Sequence, residues 1–118
     1  MKATDIITEC DKIKPNVYSF SQKKKWLDKI ETDIRLFASR HMSENADLGF
    51  QSEENPHLFL DEANSDIYLY YLISMIDLSN QEFSLYNNSS SFYNARLLKW
   101  QKEYRRNHTP RCDISIKV

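Results

Sequence analysis

Two successive helical stripes of large apolar side chains run through residues 64–108, and this feature most constrains the fold. The first stripe repeats at steps of three and four residues and consists of Tyr68, Leu72, Met75, Ile76, Phe83 and Tyr86. The second consists of Tyr93, Leu97, Trp100 and Tyr104, widened by Phe92 and Leu98. Between them lies the run Asn87-Asn88-Ser89-Ser90-Ser91, whose side chains compete with the backbone for hydrogen bonds. The pattern predicts a long hairpin of antiparallel helices that turns at 87–91.

Two more helices are predicted in the first forty residues. The first spans about 4–14, with Pro15 ending it. Its apolar face consists of Ile6, Ile7, Cys10 and Ile13. The second spans about 20–41 and begins with the capping-box pattern of Ser19 and Gln22. We expect its buried face to be Trp26, Leu27, Ile30, Ile34 and Phe37. We expect its solvent face to be Lys23, Lys24, Lys25, Lys29, Glu31 and Arg35.

The chain has few helix breakers, since it contains one glycine and three prolines in 118 residues. An all-β fold needs many tight turns, so this scarcity argues against one. We therefore expect a mainly α fold, a small antiparallel helical bundle that forms one domain over residues 1–110.

Two segments depart from the helical pattern. Residues 43–62 are acidic and have no sustained period, so we expect an irregular surface excursion pinned by Leu58 and Leu60. Residues 111–118 form an extended C-terminal tail, in which polar and apolar residues alternate as in a strand. The apolar positions of that strand are Ile114, Ile116 and Val118. The tail either pairs with the excursion, a neighbouring subunit or another protein, or it is a frayed terminus.

Charge is unevenly distributed along a chain whose formal net charge is −1. Residues 43–66 contain seven acidic residues and no lysine or arginine, whereas 96–111 contain six basic residues and one glutamate. Head-to-tail neighbours in a ring can pair such regions, although two solvated faces of opposite sign explain the pattern equally well.

No catalytic, metal or cofactor signature is present in the sequence. His41, His57 and His108 lack metal-ligand spacing, and a single glycine cannot build a phosphate loop. Cys10 and Cys112 have no recognisable base nearby, and we expect two free thiols in a reducing compartment. No apolar run approaches the ~20 residues of a membrane span, and no signal peptide is visible. We expect no enzyme activity, no cofactor and no membrane contact, in a soluble cytosolic product.

Polar residues inside the predicted hairpin indicate two kinds of contact. Asp77 and Glu82 interrupt the first arm, and we expect one of them to receive Arg96, Arg105 or Arg106 across the hairpin or across a subunit boundary. A solvated face is the alternative. Separately, four basic residues recur at helical spacing and offer phosphate contacts, as a nucleic-acid-binding module would, or form a wet helix face. They are Arg96, Lys99, Lys102 and Arg106.

An ordered series of short motifs resembles a family of small virion proteins of tailed bacteriophages, the head–tail connector or adaptor proteins. The motifs are Lys14-Pro15-Asn16, Trp26-Leu27, Asp66-Ile67-Tyr68 with Tyr71, Ile76-Asp77, Asn80-Gln81-Glu82, Tyr86-Asn87-Asn88, Phe92-Tyr93-Asn94 and Tyr104-Arg105-Arg106-Asn107-His108-Thr109-Pro110. The composition, rich in Lys, Asn, Ile and Tyr, is typical of an AT-rich genome such as those of the crAss-like group. The tail 111–118 extends past the family pattern.

The resemblance implies a non-enzymatic subunit of a ring, usually twelvefold, beneath the portal in the neck of the virion. Genomic DNA would pass through the ring without sequence-specific contact. The partners implied are further copies of the chain, the portal and other neck or tail proteins. We expect the interface to use Asp77, Glu82, Arg96, Arg105, Arg106 and the tail residues Ile114, Ile116 and Val118. Two other functions remain open: a nucleic-acid-binding helical module, and a tail-assembly or scaffolding helper absent from the finished particle.

Overall fold

Four helices make up most of the chain that the structure, a computed structural model, describes, namely residues 2–40 and 57–108. They are α1 (Ala3–Ile13), α2 (Phe20–Arg40), α3 (Ser65–Ser79) and α4 (Phe83–His108). A short 3-10 turn, Glu62–Asn64, precedes α3. Within the described ranges no β-strand forms, and the expectation of a mainly α, antiparallel bundle with a long helical hairpin is confirmed.

Both short connections of the bundle lie at one end. Residues 14–19 join α1 to α2, and residues 80–82 join α3 to α4. The Tyr18 hydroxyl donates to Oδ1 of Asn80 at 2.6 Å, which ties the two connections together. At the opposite end, Lys2 forms an isolated antiparallel bridge with His57. We call the end formed by residues 13–20 and 78–85 the turn end.

Helix α3 is the centre of the core, because it packs against each of the other three helices. No residue between Ile67 and Asp77 is exposed, as expected for a helix that is apolar on nearly every side. The core residues from α1 and α2 are Ala3, Ile6, Ile7, Cys10, Leu27, Ile30, Ile34 and Ala38. Those from α4 are Trp100 and Tyr104, with Tyr93 and Leu97 packed against them.

The bounds of α2 agree with the prediction from the sequence, but the predicted exposure of two of its side chains is wrong. Its observed bounds, Phe20–Arg40, agree with the prediction, and the Gln22 N–H donates to Oγ of Ser19 as half of the expected capping box. Lys23 and Glu31 were expected to face solvent, but both are buried. They lie four residues before and after the fully buried Leu27, which places them on its side of the helix.

The predicted hairpin turn at 87–91 is wrong, because these residues lie inside α4. The serine hydroxyls of the run bond to carbonyls of the preceding helical turn, which satisfies them without a break. Ser91 Oγ donates to the Asn87 carbonyl at 2.7 Å, and Ser90 Oγ to the same carbonyl at 3.3 Å. As a consequence, Phe83 belongs to α4 and is exposed rather than part of the first stripe.

The observed turn, residues 80–82, closes with the two hydrogen bonds of a Schellman motif. The Glu82 N–H donates to the Asp77 carbonyl at 2.9 Å, and the Gln81 N–H donates to the Leu78 carbonyl at 3.0 Å. Gln81 has φ 62°, in the left-handed region that favours glycine. The hairpin therefore turns on a residue with a side chain at a position where glycine is usual.

Replacing Gln81 by glycine should raise the free energy of unfolding by roughly 0.5–1 kcal/mol, because it removes the steric cost of a left-handed side-chain-bearing residue. Urea unfolding followed by circular dichroism measures the change. Gln101→Gly is the matched control, since it places glycine inside α4 and should lower stability by about 1 kcal/mol. A Gln81→Gly variant less stable than the parent would contradict the assigned turn.

The segment before α3 follows the expectation for the excursion where the structure describes it. Leu58 and Leu60 are buried in the core, as predicted. The rest of that excursion, 43–56, and the whole tail 111–118 lie outside the described residues. No helix in the described ranges is both long enough and apolar enough to cross a bilayer.

Candidate interaction site

A buried carboxylate, Asp77, lies beneath the turn end and is neutralised by Lys14. Nζ of Lys14 lies 2.7 Å from Oδ1 of Asp77 and 3.4 Å from Oε1 of Glu82. The Asp77 side chain is 3 % exposed, and the Ser89 hydroxyl donates to its Oδ2 at 2.8 Å. The hydrogen bond to Asp77 is the main cause that raises the pKa of Lys14. This Lys14–Asp77–Glu82 cluster, the clamp, joins the α1–α2 connection to the end of α3.

The predicted pairing of Asp77 or Glu82 with an arginine across the hairpin is wrong, because the turn lies closer to these acids than expected. Arg96 is fourteen residues beyond Glu82 on α4, which is ~21 Å at the helical rise. Arg96 instead lies near Asp66, with Nε 3.3 Å from Oδ2. Pairing across a subunit boundary stays a prediction, for which the half-exposed Glu82 is the accessible member.

Other hydrogen bonds hold the two connections of the turn end in one shape. Asn80 Nδ2 donates to Oε1 of Glu82 at 3.1 Å, while Asn80 also accepts from Tyr18. Asn16 Nδ2 donates to Oδ1 of Asp11 at 3.0 Å, and Nζ of the buried Lys23 lies 2.6 Å from the same oxygen. The turn end is therefore a preorganised surface rather than a pair of loose loops.

A second buried carboxylate, Glu31, fixes the chain segment that leads into α3. Its Oε1 accepts from the Tyr68 hydroxyl at 2.5 Å, and its Oε2 accepts from the Phe59 N–H at 2.8 Å and from Nε of Arg35 at 3.0 Å. The Leu60 N–H donates to the Tyr68 oxygen at 3.1 Å. Sequence reasoning missed this network, although the position of Glu31 four residues after Leu27 on the buried stripe indicates it.

Stability should fall above about pH 9, because Cys10 and several tyrosines have a higher pKa in the folded chain. Burial raises the pKa of Tyr68, Tyr71, Tyr93 and Tyr104 above the ordinary value of 10.0. Such groups contribute stability that is complete below their unfolded pKa and lost as the pH rises through the folded pKa. Urea midpoints measured against pH should be level to about 9, where the Cys10 thiol of the unfolded chain ionises, and should decline more steeply above 10. A Tyr68→Phe variant should decline less steeply, and a midpoint unchanged through the titration of free tyrosine would contradict the assignment.

The basic residues of α4 fall into two groups, one on a shared solvent-facing side and one in contact with aromatic rings. Lys99, Lys102 and Arg106 are exposed at spacings of three and four residues, so they share one solvent-facing side of the helix. The guanidinium of Arg96 instead lies over the Tyr70 ring, 4.8 Å from its centroid, and pairs with Asp66. Arg105 lies over Phe37, 5.9 Å from that ring centroid. Three of the four predicted DNA-facing residues are thus brought together.

Beside this basic side, an open groove of about 760 Å³ separates the start of α3 from α4. It is lined by groups of both signs, including Asp61, Asp66, Arg96, Lys99 and Glu103. A mixed lining of this kind selects neither an anion nor a cation.

Reactive groups in the described residues occupy structural positions. Burial raises the pKa of Cys10 to about 11, so this thiol is protonated at neutral pH and packs as a core residue. In residues 2–40 and 57–108, no three His, Cys, Asp or Glu side chains come together as a metal site. The predicted tail contacts Ile114, Ile116 and Val118 lie outside these ranges.

Comparison with known proteins gave no match among protein-family models, curated proteins or solved structures.

Proposed function

We propose that this chain is a structural subunit of a head–tail connector ring in the neck of a tailed bacteriophage. The observation that carries the proposal is the contact between motifs of the resemblance that lie far apart in sequence. Lys14 of the first motif contacts Asp77 and Glu82, the latter 68 positions away. The motifs that contain Lys14, Asp77 and Glu82 therefore meet in one place in the fold. This is expected if these motifs specify the fold that the resemblance to connector proteins implies.

Exposed apolar side chains on α4 support assembly with neighbours. Phe92 and Leu98 are each more than half exposed, on a helix that packs mainly on α3. Protein interfaces are enriched in large apolar and aromatic side chains, so contact with another copy would cover these two residues. In the proposed function, copies of the chain cover these residues in a ring, usually twelvefold, around the DNA channel.

The neighbours in the proposed assembly are the portal on one side and further neck or tail proteins on the other. The alternating tail 111–118 would add its apolar positions Ile114, Ile116 and Val118 to a strand of the portal or the next ring. DNA would pass the ring without sequence-specific contact, near exposed cations such as Lys102. The chain would belong to the finished virion.

Native mass spectrometry of the purified chain with the portal protein of the same genome tests the proposal. The expected result is a ring-sized complex that contains many copies of the chain. A Leu98→Glu variant should assemble less, whereas Lys12→Glu, also an exposed helical position, is the matched control. A chain that stays monomeric and ignores the portal would contradict the proposal. Mass spectrometry of purified virions separates it from a scaffolding helper, because only a connector remains in the particle.

The second candidate is a nucleic-acid-binding module, favoured by the side that Lys99, Lys102 and Arg106 share on α4. If these residues neutralise three phosphates, the logarithm of affinity for duplex DNA should fall with that of salt concentration with a slope of about −2.7. Fluorescence anisotropy across salt concentrations measures this slope. Reversing all three charges should abolish binding, whereas Arg96→Glu is the matched control, because Asp66 and Tyr70 already hold Arg96. Affinity that is flat with salt would exclude this function.

A further inference from the structure

The groove of about 760 Å³ between the start of α3 and the second half of α4 is continuous and has a defined lining. Four of its ten lining residues are apolar, namely Ala63, Ile67, Ala95 and Trp100. The charged ones carry both signs, so the groove suits neither a simple anion nor a simple cation. A peptide segment with apolar residues and charges of both signs matches such a lining.

A segment of this chain is within reach of the groove. Residues 109–118 follow α4, which ends at His108, and they lie outside the described ranges. On α4 the groove runs from Glu103 back to Ala95, which are five and thirteen residues before His108, or ~7.5 and ~20 Å along the helix. An extended segment as long as 109–118 spans up to ~33 Å. It is therefore long enough to fold back along the whole groove.

The charges of the tail and of the groove have matching spacing and opposite order. Glu103 and Lys99 lie four residues apart on α4, which is ~6 Å along the helix, and neither has an ion pair with another described residue. Arg111 and Asp113 are two residues apart, which is ~6.6 Å on one side of an extended segment. A segment that returns antiparallel to α4 meets Glu103 first with its cation and Lys99 next with its anion.

We infer that the tail 111–118 docks in the groove of its own chain, with Arg111 against Glu103 and Asp113 against Lys99. Pro110 disfavours the helical conformation in the residue before it, which favours a change of chain direction at the end of α4. A tethered segment has a high effective concentration at its site, so a modest contact is sufficient to hold it.

The apolar residues of the tail fit the same placement. In an extended segment Ile114 and Ile116 lie on the side opposite Asp113, and the α3 wall of the groove offers Ala63 and Ile67 to them. The inference does not depend on the connector proposal. In a connector, the portal or the next ring would have to take the tail out of the groove, so docking would hold the tail back until a partner arrives.

Paramagnetic relaxation enhancement by NMR on the full chain, with a nitroxide on Cys112, tests the inference. Burial raises the pKa of Cys10 to about 11, so a thiol-reactive label prefers Cys112 at neutral pH. Relative to the reduced label, the amide signals of Ala63 and Ala95 should lose intensity. The signal of Ser84, near the start of α4 at the turn end, should keep its intensity.

Charge variants tie the loss of intensity to the groove. Lys99→Glu should restore most of the intensity at Ala63 and Ala95, because it places a like charge against Asp113. Combining Lys99→Glu with Asp113→Lys should bring the loss back, since the pair is then complementary again. Lys102→Glu is the matched control, because Lys102 is exposed on the same helix but does not line the groove. It should behave like the parent.

Circular dichroism establishes that each variant is folded. Signals of Ala63 and Ala95 that the label leaves unchanged in the parent would overturn the inference, as would a loss of intensity that persists in Lys99→Glu. A mixture of spin-labelled chain and separately isotope-enriched, unlabelled chain should show no loss. A loss in that mixture would assign the groove to the tail of a second copy and would also overturn the inference.

Discussion

Replacing Lys14 by methionine lowers the free energy of unfolding by about 3 kcal/mol, because the Asp77 carboxylate then stays buried without its cation. Methionine keeps the length and apolar stem of the lysine, so the loss reports the charge rather than the packing. Urea unfolding at neutral pH measures it. The value lies at the lower end of the range for broken buried pairs, because the Lys14 side chain is 22 % exposed and Ser89 still binds Asp77.

Two variants distinguish the loss of the Lys14–Asp77 ion pair from the general effect of removing a lysine charge. Lys12→Met removes an exposed charge two residues earlier, in the last turn of α1, and should change stability by less than about 0.5 kcal/mol. Lys14→Met combined with Asp77→Asn should be more stable than Lys14→Met alone, because the neutral amide no longer needs a cation. If Lys14→Met unfolds like the parent, Asp77 is not the buried charge that the structure describes.

Replacing Glu31 by alanine lowers the free energy of unfolding by about 3–4 kcal/mol, because it leaves the Phe59 N–H and the Tyr68 hydroxyl without their acceptor. The effect extends beyond global stability. Since Phe59 N–H is held by this carboxylate, its amide should exchange with solvent much faster in the variant. Urea unfolding gives the global change, and hydrogen exchange over residues 57–60 gives the local one.

Asp33→Ala is the matched control for Glu31→Ala, because Asp33 lies on the same helix with an exposed side chain. It should change stability by less than about 0.5 kcal/mol and leave exchange at Phe59 unaltered. Glu31→Gln tests the geometry, since its amide oxygen can replace one carboxylate oxygen but not both. An intermediate loss is expected, and a Glu31→Ala variant with unchanged exchange at Phe59 would refute the network.

The ends of a helix could be predicted from the sequence where capping or helix-breaking residues mark them. They could not be predicted where such residues are absent. Pro15 and the Ser19 cap gave the boundary between α1 and α2 within a residue or two. The α3–α4 turn was missed because Gln81 occupies the left-handed position where glycine would have marked it. The Asn87–Ser91 run supplied a false signal, since its hydroxyls bond within a helix as readily as they cap one.

The candidate site was less predictable than the fold, because it depends on contacts between distant parts of the chain. Nothing in local spacing links Lys14 to Glu82, 68 positions away. Phe92 and Leu98 were expected to be buried because they widen the stripe of α4. They are exposed because α4 packs mainly on α3, so one narrow side of it is covered. The number of neighbours that a helix has decides how wide its buried side is, and sequence alone does not reveal that number.

The central position of α3 also determines the order in which a growing chain can fold. The apolar sides of α1 and α2 meet their main partner only when residues 65–79 have left the ribosome. Until then the first forty residues have an incomplete core, and short helices without tertiary partners are only marginally stable in water. The nascent N-terminal half therefore exposes apolar side chains that are covered only when α3 has been synthesised.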